Sequence, residues 1–303
     1  MQKGKGKGMR KVYQRGVSLL LAVLLILGMG AVTSAEEETV TAQKLPNGKA
    51  VYNILLIGTD RRDDSWNGNS DVVIVATVNT AAQKLCLTSF MRDLYADIPG
   101  HGIHKLNYAY AIGGAETLIA TLESNYEIEI DNYAMVDFET MADIIDLAGG
   151  VDMTISDAEC DLLNGYLISM NATEYSLPCG GTYTLNGTQA VAFMRDRYVG
   201  NNDYQRTQRQ RDVLRSLFES LQKLGAGEMA ALAGEIFLMV DHDINPFELL
   251  SLTAGLSTYM SYPLGEARIP YDDLYHSENE LLIPDFAQTI ERLHDSMYEG
   301  VTE

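Results

Sequence analysis

Apolar runs and amphipathic stretches alternate along the chain between residues 50 and 156. Five short apolar runs, bounded by Gly, Asp and Asn, predict strands at 52–58, 71–79, 84–90, 132–138 and 150–156. Helical periodicity predicts helices at 113–126 and 138–150, the second ending at Gly149. Strands that alternate with helices predict an α/β fold whose sheet is covered on both faces.

The chain beyond residue 185 has mostly helical periodicity. A short helix is predicted to start near Asn186, and a long helix over 203–225 is predicted to end at Gly225. Amphipathic segments follow at 226–240, 246–260 and 284–299. No internal repeat or second domain boundary is visible, so residues 50–303 are predicted to form one domain with a helical C-terminal part.

The long helix carries charged residues on its apolar side. Its apolar stripe consists of Val213, Leu214, Leu217, Leu221 and Leu224. Asp203, Arg206 and Gln210 continue this stripe toward the N-terminus. A charge on a core-facing stripe is costly to bury without a partner, so Arg206 indicates either a bound anion or a buried ion pair with Asp203.

The first 35 residues have the charge and hydropathy pattern of an export signal. A basic leader at 1–16 precedes an apolar stretch at 17–35, and residues 36–49 resemble a tether. The apolar stretch is close to the lower length limit for a membrane span, and its last three residues equally fit a cleavage site. An anchor in the cell membrane and a secreted protein are therefore both open, and both place the rest of the chain outside the cytoplasm.

The charge balance restricts the partners of the protein. The formal net charge of -20 argues against nucleic-acid binding, which needs a basic face. Six of the 22 basic residues lie in the leader, which leaves 16 against 42 acidic residues, a net charge of about -26 for the exported part. Six further basic residues lie between Arg195 and Arg215. One guanidinium group can donate two parallel hydrogen bonds to the oxygens of a phosphate. Arg195, Arg197 and Arg206 therefore predict a phosphate-binding pocket.

Two aspartates flank the loop between the first two predicted strands. Asp60 follows the first strand and Asp71 begins the second, so the two carboxylates can meet at one edge of the sheet. Carboxylates beside phosphate-binding arginines are typical of a Mg²⁺ site. The alternative is a solvated acidic turn rich in Asp, Asn and Gly.

Three cysteines are compatible with an exported protein. Cys86 lies in an apolar run and is predicted to be a small buried residue. Cys160 and Cys179 flank a polar stretch that resembles an inserted loop, and a disulfide closing this loop is predicted. The sequence has no CxxC pair and no HExxH motif, so a zinc site has little support.

Seven stretches resemble, in order, the successive motifs of the LytR-CpsA-Psr family of bacterial cell-wall proteins. They are NILLIGTDRR, SDVVIVATVN, SFMRDLYADIPG, HKLNYAYAIGGAE, IDLAGGVDM, LNGTQAVAFMRDR and DYQRTQRQRDVL. The resemblance covers about residues 50–225, which is more than half of the chain. It implies an α/β/α domain with a central mixed β-sheet and a deep apolar groove for a polyprenyl chain.

The resemblance also implies an activity. The family transfers a phosphoglycan, such as teichoic acid or capsular polysaccharide, from a polyprenyl-pyrophosphate carrier to a peptidoglycan hydroxyl. Mg²⁺ is the implied cofactor, with Mn²⁺ as the alternative metal.

Individual positions match the motifs of the family. Asp60 and Asp71 match its metal-binding aspartates. The arginines that match its pyrophosphate-binding positions are Arg62, Arg92, Arg195, Arg197 and Arg206. The residues that complete the implied polar shell are Lys105, Asp203 and Gln210. The resemblance implies catalytic roles for Arg92, Arg195 and Arg197, and Asp93 matches the aspartate of an arginine-aspartate pair and is a weak candidate for a base.

The chain departs from the family pattern at two positions. Asn69 stands where the family often has an arginine, which removes one cationic contact, and Met91 stands where it often has a proline. The sequence lacks a GxSxG motif and a GxxxxGK[ST] loop, which argues against a serine hydrolase and an ATP-driven kinase. Two other functions stay open, a non-catalytic polyprenyl-phosphate-binding or envelope-regulatory protein and a hydrolase of the pyrophosphate.

Overall fold

The computed structural model describes residues 45–59, 68–196, 198–200 and 202–301. The strands are β1 (Val51–Thr59), β2 (Ser70–Asn79), β3 (Lys84–Phe90), β4 (Tyr95–Ile98), β5 (Gly102–Lys105), β6 (Asn132–Val136), β7 (Val151–Ile155), β8 (Gly181–Leu185), β9 (Asp241–His242), β10 (Leu264–Ile269), β11 (Tyr275–Glu278) and β12 (Leu281–Pro284). The helices are α1 (Leu106–Tyr126), α2 (Phe138–Leu147), α3 (Asp157–Ser169), α4 (Gly187–Arg195), α5 (Asn202–Gln222), α6 (Ala226–Phe237), α7 (Pro246–Ala254), α8 (Leu256–Tyr259) and α9 (Phe286–Tyr298).

The core of the fold is a mixed six-stranded sheet with the strand order β10-β3-β2-β1-β6-β9. Strands β1, β2 and β3 are joined in antiparallel pairs, whereas β6 lies parallel to β1 and β10 parallel to β3. All nine residues of β1 are buried, because both faces of this central strand are covered. A strand in such a position typically has a nearly continuous apolar sequence. The predicted α/β fold with a mixed central sheet is therefore confirmed.

Helices pack against the sheet and against one another. Helices α1 and α9 contact β2 and each other, while α2, α3 and α5 each contact α4. The first residue of α4, Gly187, lies so close to α2 that an added Cβ would be 1.8 Å from the backbone oxygen of Ala142. Only glycine allows this approach, which fixes the direction of α4 and hence the position of Arg195 in its last turn.

Several elements differ from the sequence-based expectation. The predicted strand at 150–156 pairs with β8 in a separate two-stranded antiparallel sheet outside the central sheet. The C-terminal part contains the predicted helices, but it also supplies β10 to the edge of the central sheet and the β11–β12 hairpin. Short strands with few residues carry too little periodicity to be separated from loops.

The stretch between Cys160 and Cys179 is not the inserted loop that its polar composition predicted. Its first half belongs to α3, whose N-terminus has a capping box made by Ser156 and Glu159. In this structure the predicted disulfide is not formed, since both thiols are free, Cys160 buried and Cys179 exposed. The Sγ of Cys160 lies 3.8 Å from the backbone oxygen of Leu177, because α3 directs this side chain into the core. Cys86 is free and buried, as predicted.

The predicted leader, apolar stretch and most of the tether, residues 1–44, lie outside the described residues. Within the part of the chain that the structure describes, no helix has the length and apolar character needed to cross a membrane.

Candidate active site

A cavity of about 590 Å³ opens where the start of β2, the end of α4 and the N-terminal half of α5 come together. Its polar lining includes Asn69, Asp71, Asn107, Ser169 and Gln210 together with the guanidinium groups of Arg92, Arg195 and Arg206. Its apolar and aromatic lining consists of Phe138, Leu162, Tyr166, Met194 and Tyr198. The cavity therefore joins a cationic end to an aromatic wall.

The antiparallel pairing of β2 and β3 brings Asp71 to Arg92. Ile74 is paired with Ser89, so Asp71, three residues before Ile74, meets Arg92, three residues after Ser89. The Nη1 of Arg92 donates to Oδ1 of Asp71 at 2.9 Å. The resemblance implied a shared site for these two residues, and the sheet register is the physical reason for it.

Arg92 also binds the first turn of α5. Its Nε donates to Oδ2 of Asp203 at 2.9 Å. The other oxygen of Asp203, Oδ1, lies 3.6 Å from Nη2 of Arg206, whose Nη1 is 3.9 Å from Oδ1 of Asp71. Two arginines and two aspartates thus form one network beside the cavity. The two alternatives for Arg206, an ion pair with Asp203 and a place in an anion site, are compatible because Arg206 lines the cavity while Asp203 contacts Arg206 from outside the lining.

The network keeps Arg92 firmly charged. Burial alone would lower the pKa of Arg92, but the hydrogen bond to Asp71 and the charges of Asp203 and Asp93 outweigh burial and raise the pKa. A fixed positive charge at the cavity wall favours a bound anion.

Asp93 turns away from the cavity toward Lys105. The Nζ of Lys105 lies 2.9 Å from Oδ1 of Asp93, and the Nε of Arg92 lies 3.6 Å from Oδ2. Burial raises the pKa of Asp93, but Lys105 and Arg92 outweigh burial and hold the pKa below its usual range. Such a carboxylate is a weak base, and its contacts favour a role in positioning Arg92. Neither Asp93 nor Lys105 lines the main cavity.

Arg195 faces the cavity from the end of α4 and rests on aromatic rings. Its guanidinium carbon lies 4.8 Å from the ring centroid of Phe138 and 5.5 Å from that of Tyr166. Both distances are in the range of cation–π attraction, which holds the group in place without neutralising its charge. Tyr166 was missed by sequence reasoning because its segment was predicted to be a loop.

The predicted apolar stripe of α5 is confirmed over most of its length. Val213, Leu214, Leu217 and Leu221 are buried, whereas Leu224 is half-buried beyond the helix, which ends at Gln222. Arg206 and Gln210 lie on the continuation of this stripe, where each is 7% exposed and lines the cavity. The amphipathic pattern of the helix therefore directs polar side chains into the site.

A second buried arginine, Arg209, was not singled out from the sequence. Its Nη2 donates to Oε1 of Glu159 at 2.9 Å and to the backbone oxygen of Val199 at 2.8 Å, and its Nη1 donates to the backbone oxygen of Asp196 at 3.0 Å. Arg209 is 1% exposed. It ties α3 and α5 to the chain that follows Arg195. Its position three residues after Arg206, on the same side of α5, was the signal in the sequence that could have identified it.

The residues beside the cavity fit a divalent cation that is bound together with phosphates. Among the described residues, no three or more His, Cys, Asp or Glu side chains are grouped so that they could hold a metal. Asp71 offers one carboxylate at the cavity. Mg²⁺ is typically held by one or two carboxylates plus substrate phosphates, so a single aspartate in an arginine-lined cavity matches this donor set.

The structure brings together most of the predicted site residues that it describes. Asp71, Arg92, Arg195, Arg206 and Gln210 line the cavity. Three further predicted residues do not line the cavity but contact its arginines or one another. Asp203 binds Arg92 and Arg206, Asp93 lies beside Arg92, and Lys105 binds Asp93. Asp60, Arg62 and Arg197 lie outside the described residues.

Comparison with known proteins identifies the family. The LytR_cpsA_psr family model matches residues 28–295. The chain belongs to this family. Its family relationship agrees with the ordered motifs and with the mixed sheet.

Curated relatives and solved structures extend this result. The polyisoprenyl-teichoic acid–peptidoglycan teichoic acid transferase TagU of Enterococcus faecalis is 32% identical over 243 residues, 75% of this chain and 75% of that protein. The solved structure of TagT bound to LIIa-WTA, a Bacillus subtilis protein, superposes with a TM-score of 0.67 at 22% sequence identity. The match covers 88% of this chain and 100% of the TagT chain. The family protein YwtF (TagT) with bound octaprenyl pyrophosphate lipid has a TM-score of 0.63 at 20% identity and covers 89% and 100%. These structural likenesses establish a shared fold.

Proposed function

We propose that this protein is a phosphotransferase that moves a phosphate-linked glycopolymer from a polyprenyl-pyrophosphate carrier to a hydroxyl group of peptidoglycan. The observation that carries the proposal is the cavity in which Arg92, Arg195 and Arg206 meet beside Asp71. The Enterococcus faecalis relative is named as a transferase of teichoic acid between a polyisoprenyl carrier and peptidoglycan, which supports the same donor and acceptor here.

The geometry suits a pyrophosphate at the cationic end of the cavity. Arginines present donors in a planar fork that matches phosphate oxygens, and three of them line this cavity. Arg92 and Arg206 are held by carboxylates, which fixes their direction before a substrate arrives. Among the described residues Arg195 contacts the rings of Phe138 and Tyr166 and no carboxylate, so it keeps a net positive charge for the ligand.

The proposed reaction exchanges a phosphoanhydride bond for a phosphoester bond. The acceptor hydroxyl oxygen attacks the phosphorus that carries the glycan, a new P–O bond forms, and the P–O bond to the bridging oxygen breaks. Polyprenyl phosphate leaves with the bonding electron pair, and the hydroxyl proton passes to solvent. Negative charge builds on the phosphoryl oxygens and the leaving phosphate, so catalysis rests on positioning and on electrostatic stabilisation by the arginines.

A divalent metal, Mg²⁺ or Mn²⁺, is part of the proposal. Asp71 would hold it, with Asp60 as the second ligand expected from the family motif. When bound, the metal supplies positive charge that stabilises phosphoryl oxygens and the leaving group.

We also propose that residues 17–35 anchor the protein in the cell membrane, with the domain from about residue 50 outside the cytoplasm. Protease treatment of intact cells and of spheroplasts, with N-terminal sequencing of the mature protein, tests this. An intact leader and a domain digested from outside support the anchor. An N-terminus at Glu36 would instead indicate a secreted protein.

The activity is tested with the purified full-length protein in detergent, a short polyprenyl-pyrophosphate-linked glycan and peptidoglycan oligomers. Products are followed by mass spectrometry with Mg²⁺, with Mn²⁺ and with chelator. Asp71→Asn tests the metal carboxylate, and Lys223→Gln removes an exposed charge outside the cavity as a matched control. We expect a metal-dependent phosphodiester adduct that Asp71→Asn strongly reduces.

Other products would decide between the alternatives. Free phosphoglycan without an adduct would make the protein a pyrophosphate hydrolase. A donor that stays intact with every acceptor, while lipid phosphate co-purifies with the protein, would replace the enzyme by a lipid-binding function.

A further inference from the structure

A second cavity, of about 490 Å³, lies on another side of α5, between this helix, β10 and α9. Its charged lining consists of Arg211, Arg268 and Arg292 together with Glu266, Asp272 and Asp273, and its neutral polar lining includes Gln208 and Tyr271. The proposed phosphotransfer uses none of them. The arginine-rich stretch of α5 is therefore divided, because Arg206 lines the first cavity and Arg211 the second.

Three donors at this second cavity are buried without a hydrogen-bond partner. They are Nη1 of Arg211, Nε of Arg268 and the hydroxyl of Tyr271. Arg211 is only 5% exposed, so water does not satisfy its free donor. Leaving a charged donor unsatisfied in the interior is costly, and an added acceptor would remove this cost.

The inner part of the second cavity contains Arg211 and Arg268 with one carboxylate, Glu266, because Asp272 and Asp273 are 85% and 68% exposed at the rim. Glu266 is the acidic partner of Arg211, with Nε 3.2 Å from Oε2, but it also forms an ion pair with Arg215. One carboxylate thus serves two guanidinium groups. Arg268 is paired with Asp272, whose side chain is 85% exposed at the rim, and exposed ion pairs contribute little.

The pKa of Arg211 points in the same direction. Burial lowers it, and the positive charge of Arg268 lowers it further, whereas Glu266 and Asp212 act in the opposite direction without restoring it. The attraction of Glu266 and Asp212 therefore does not offset the burial of Arg211.

We propose that this second cavity is an anion site that binds a phosphate group, either free phosphate or a phosphodiester of an anionic polymer. Arg211 and Arg268 supply planar guanidinium donors, and the Tyr271 hydroxyl supplies a neutral one. The ring of Tyr271 is held by Arg292, whose guanidinium carbon lies 4.2 Å from the ring centroid. In a chain of net charge -20, an anion needs such a local concentration of arginines to approach the surface.

Isothermal titration calorimetry of the full-length protein in detergent tests this site, with inorganic phosphate as the first probe. The variant Arg268→Gln removes one charge and one unsatisfied donor, and we expect phosphate affinity at this site to fall at least tenfold. Arg195→Gln, in the first cavity, is expected to retain that binding. Lys223→Gln removes one exposed positive charge elsewhere and is the charge-matched control.

A second variant keeps the test decisive if Arg268→Gln does not fold. Tyr271→Phe removes only the hydroxyl, and we expect about threefold weaker phosphate binding with unchanged circular dichroism. Phosphate binding that equals the wild type in both Arg268→Gln and Tyr271→Phe would overturn the proposal, as would its absence from the wild type.

The same titration with a short poly(glycerol phosphate) separates the two sources of phosphate. Tighter binding of the polymer than of inorganic phosphate, reduced by Arg268→Gln and not by Lys223→Gln, would identify a phosphodiester chain. Equal affinity for the two probes, again reduced by Arg268→Gln, would identify free phosphate.

Discussion

Arg209 and Arg92 both bind carboxylates that lie far away in the sequence, and both contact helix α5 or belong to it. Arg209 is closed off from solvent at 1% exposure, and its donors are taken by Glu159 and by two backbone oxygens. Arg92 retains 21% exposure of its side chain and lines a cavity. The protein therefore supplies acceptors for the guanidinium group of Arg209, whereas the cluster around Arg92 has room for a ligand.

The comparison shows that an arginine–carboxylate pair has no fixed function. A fully buried pair organises neighbouring elements, and removing one partner leaves a buried charge uncompensated. A pair at a cavity wall fixes the direction of a guanidinium group toward a ligand. Variants of the two clusters should therefore separate stability from activity.

The largest expected effect is on stability, at Arg209. Arg209→Met leaves the Glu159 carboxylate and two backbone oxygens without their donor, so the free energy of unfolding should fall by about 3–5 kcal/mol. Urea denaturation followed by circular dichroism measures this change. Arg215→Met, on the same helix but 46% exposed, is the control and should change stability by less than about 1 kcal/mol. Equal losses of unfolding free energy in the two variants would contradict a stabilising role for the buried contacts of Arg209.

Arg195→Gln should give the opposite outcome. The transfer rate should fall by about 100-fold or more, because one positive charge directed at the pyrophosphate is lost. Stability should change by less than about 1 kcal/mol, since no carboxylate is left unpaired. Single-turnover assays and urea denaturation of the same preparation measure both quantities. A rate close to that of the wild type would remove Arg195 from the site.

Low pH should weaken the ion pair between Arg209 and Glu159, because protonation removes the charge of Glu159. Burial raises the pKa of Glu159, but the bonds from Ser156 and Arg209 outweigh burial and lower the pKa. A lowered folded pKa means that this stabilisation is complete above the ordinary glutamate pKa, about 4.3, and is lost as the pH falls through the folded pKa. At pH 7, Glu159→Gln should cost about 2 kcal/mol, because a bond to a charged group is replaced by a neutral one.

Unfolding free energies measured between pH 7 and pH 3 test this dependence. The difference between the wild type and Glu159→Gln should shrink as the pH falls below the ordinary glutamate pKa and through the lowered pKa of the folded protein. A difference that stays constant with pH would show that the charge of Glu159 does not matter.

The smallest expected effect is at the aromatic wall. Tyr166→Leu removes one ring beside Arg195 and should lower the transfer rate about three- to fivefold, equivalent to about 0.5–1 kcal/mol of cation–π attraction. Tyr175→Leu changes an exposed tyrosine outside the cavity and should leave the rate unchanged. An equal effect of the two substitutions would argue against the ring contact.

The elements that were predicted correctly have strong local patterns. Strands β1, β2 and β3 are long apolar runs, and α5 has an unbroken stripe from Val213 to Leu221. Helix α3 was predicted as a loop because its polar residues, Asn164 and Gly165 hid the spacing of Cys160, Leu163 and Leu167, which are all buried. In this structure Cys160 and Cys179, which flank the predicted loop, are free thiols, and a disulfide between them stays a prediction.

The sequence by itself determined which residues share a face of α5, because this follows from their spacing along the chain. It placed Arg206 and Gln210 on the buried side of α5 without any knowledge of the fold. Only the tertiary structure decided their partners. Arg92 reaches Asp203 across 111 residues, and Arg209 reaches Glu159 across 50. Such pairs depend on sheet register and helix packing, which bring distant residues together within 3 Å and which no local periodicity encodes.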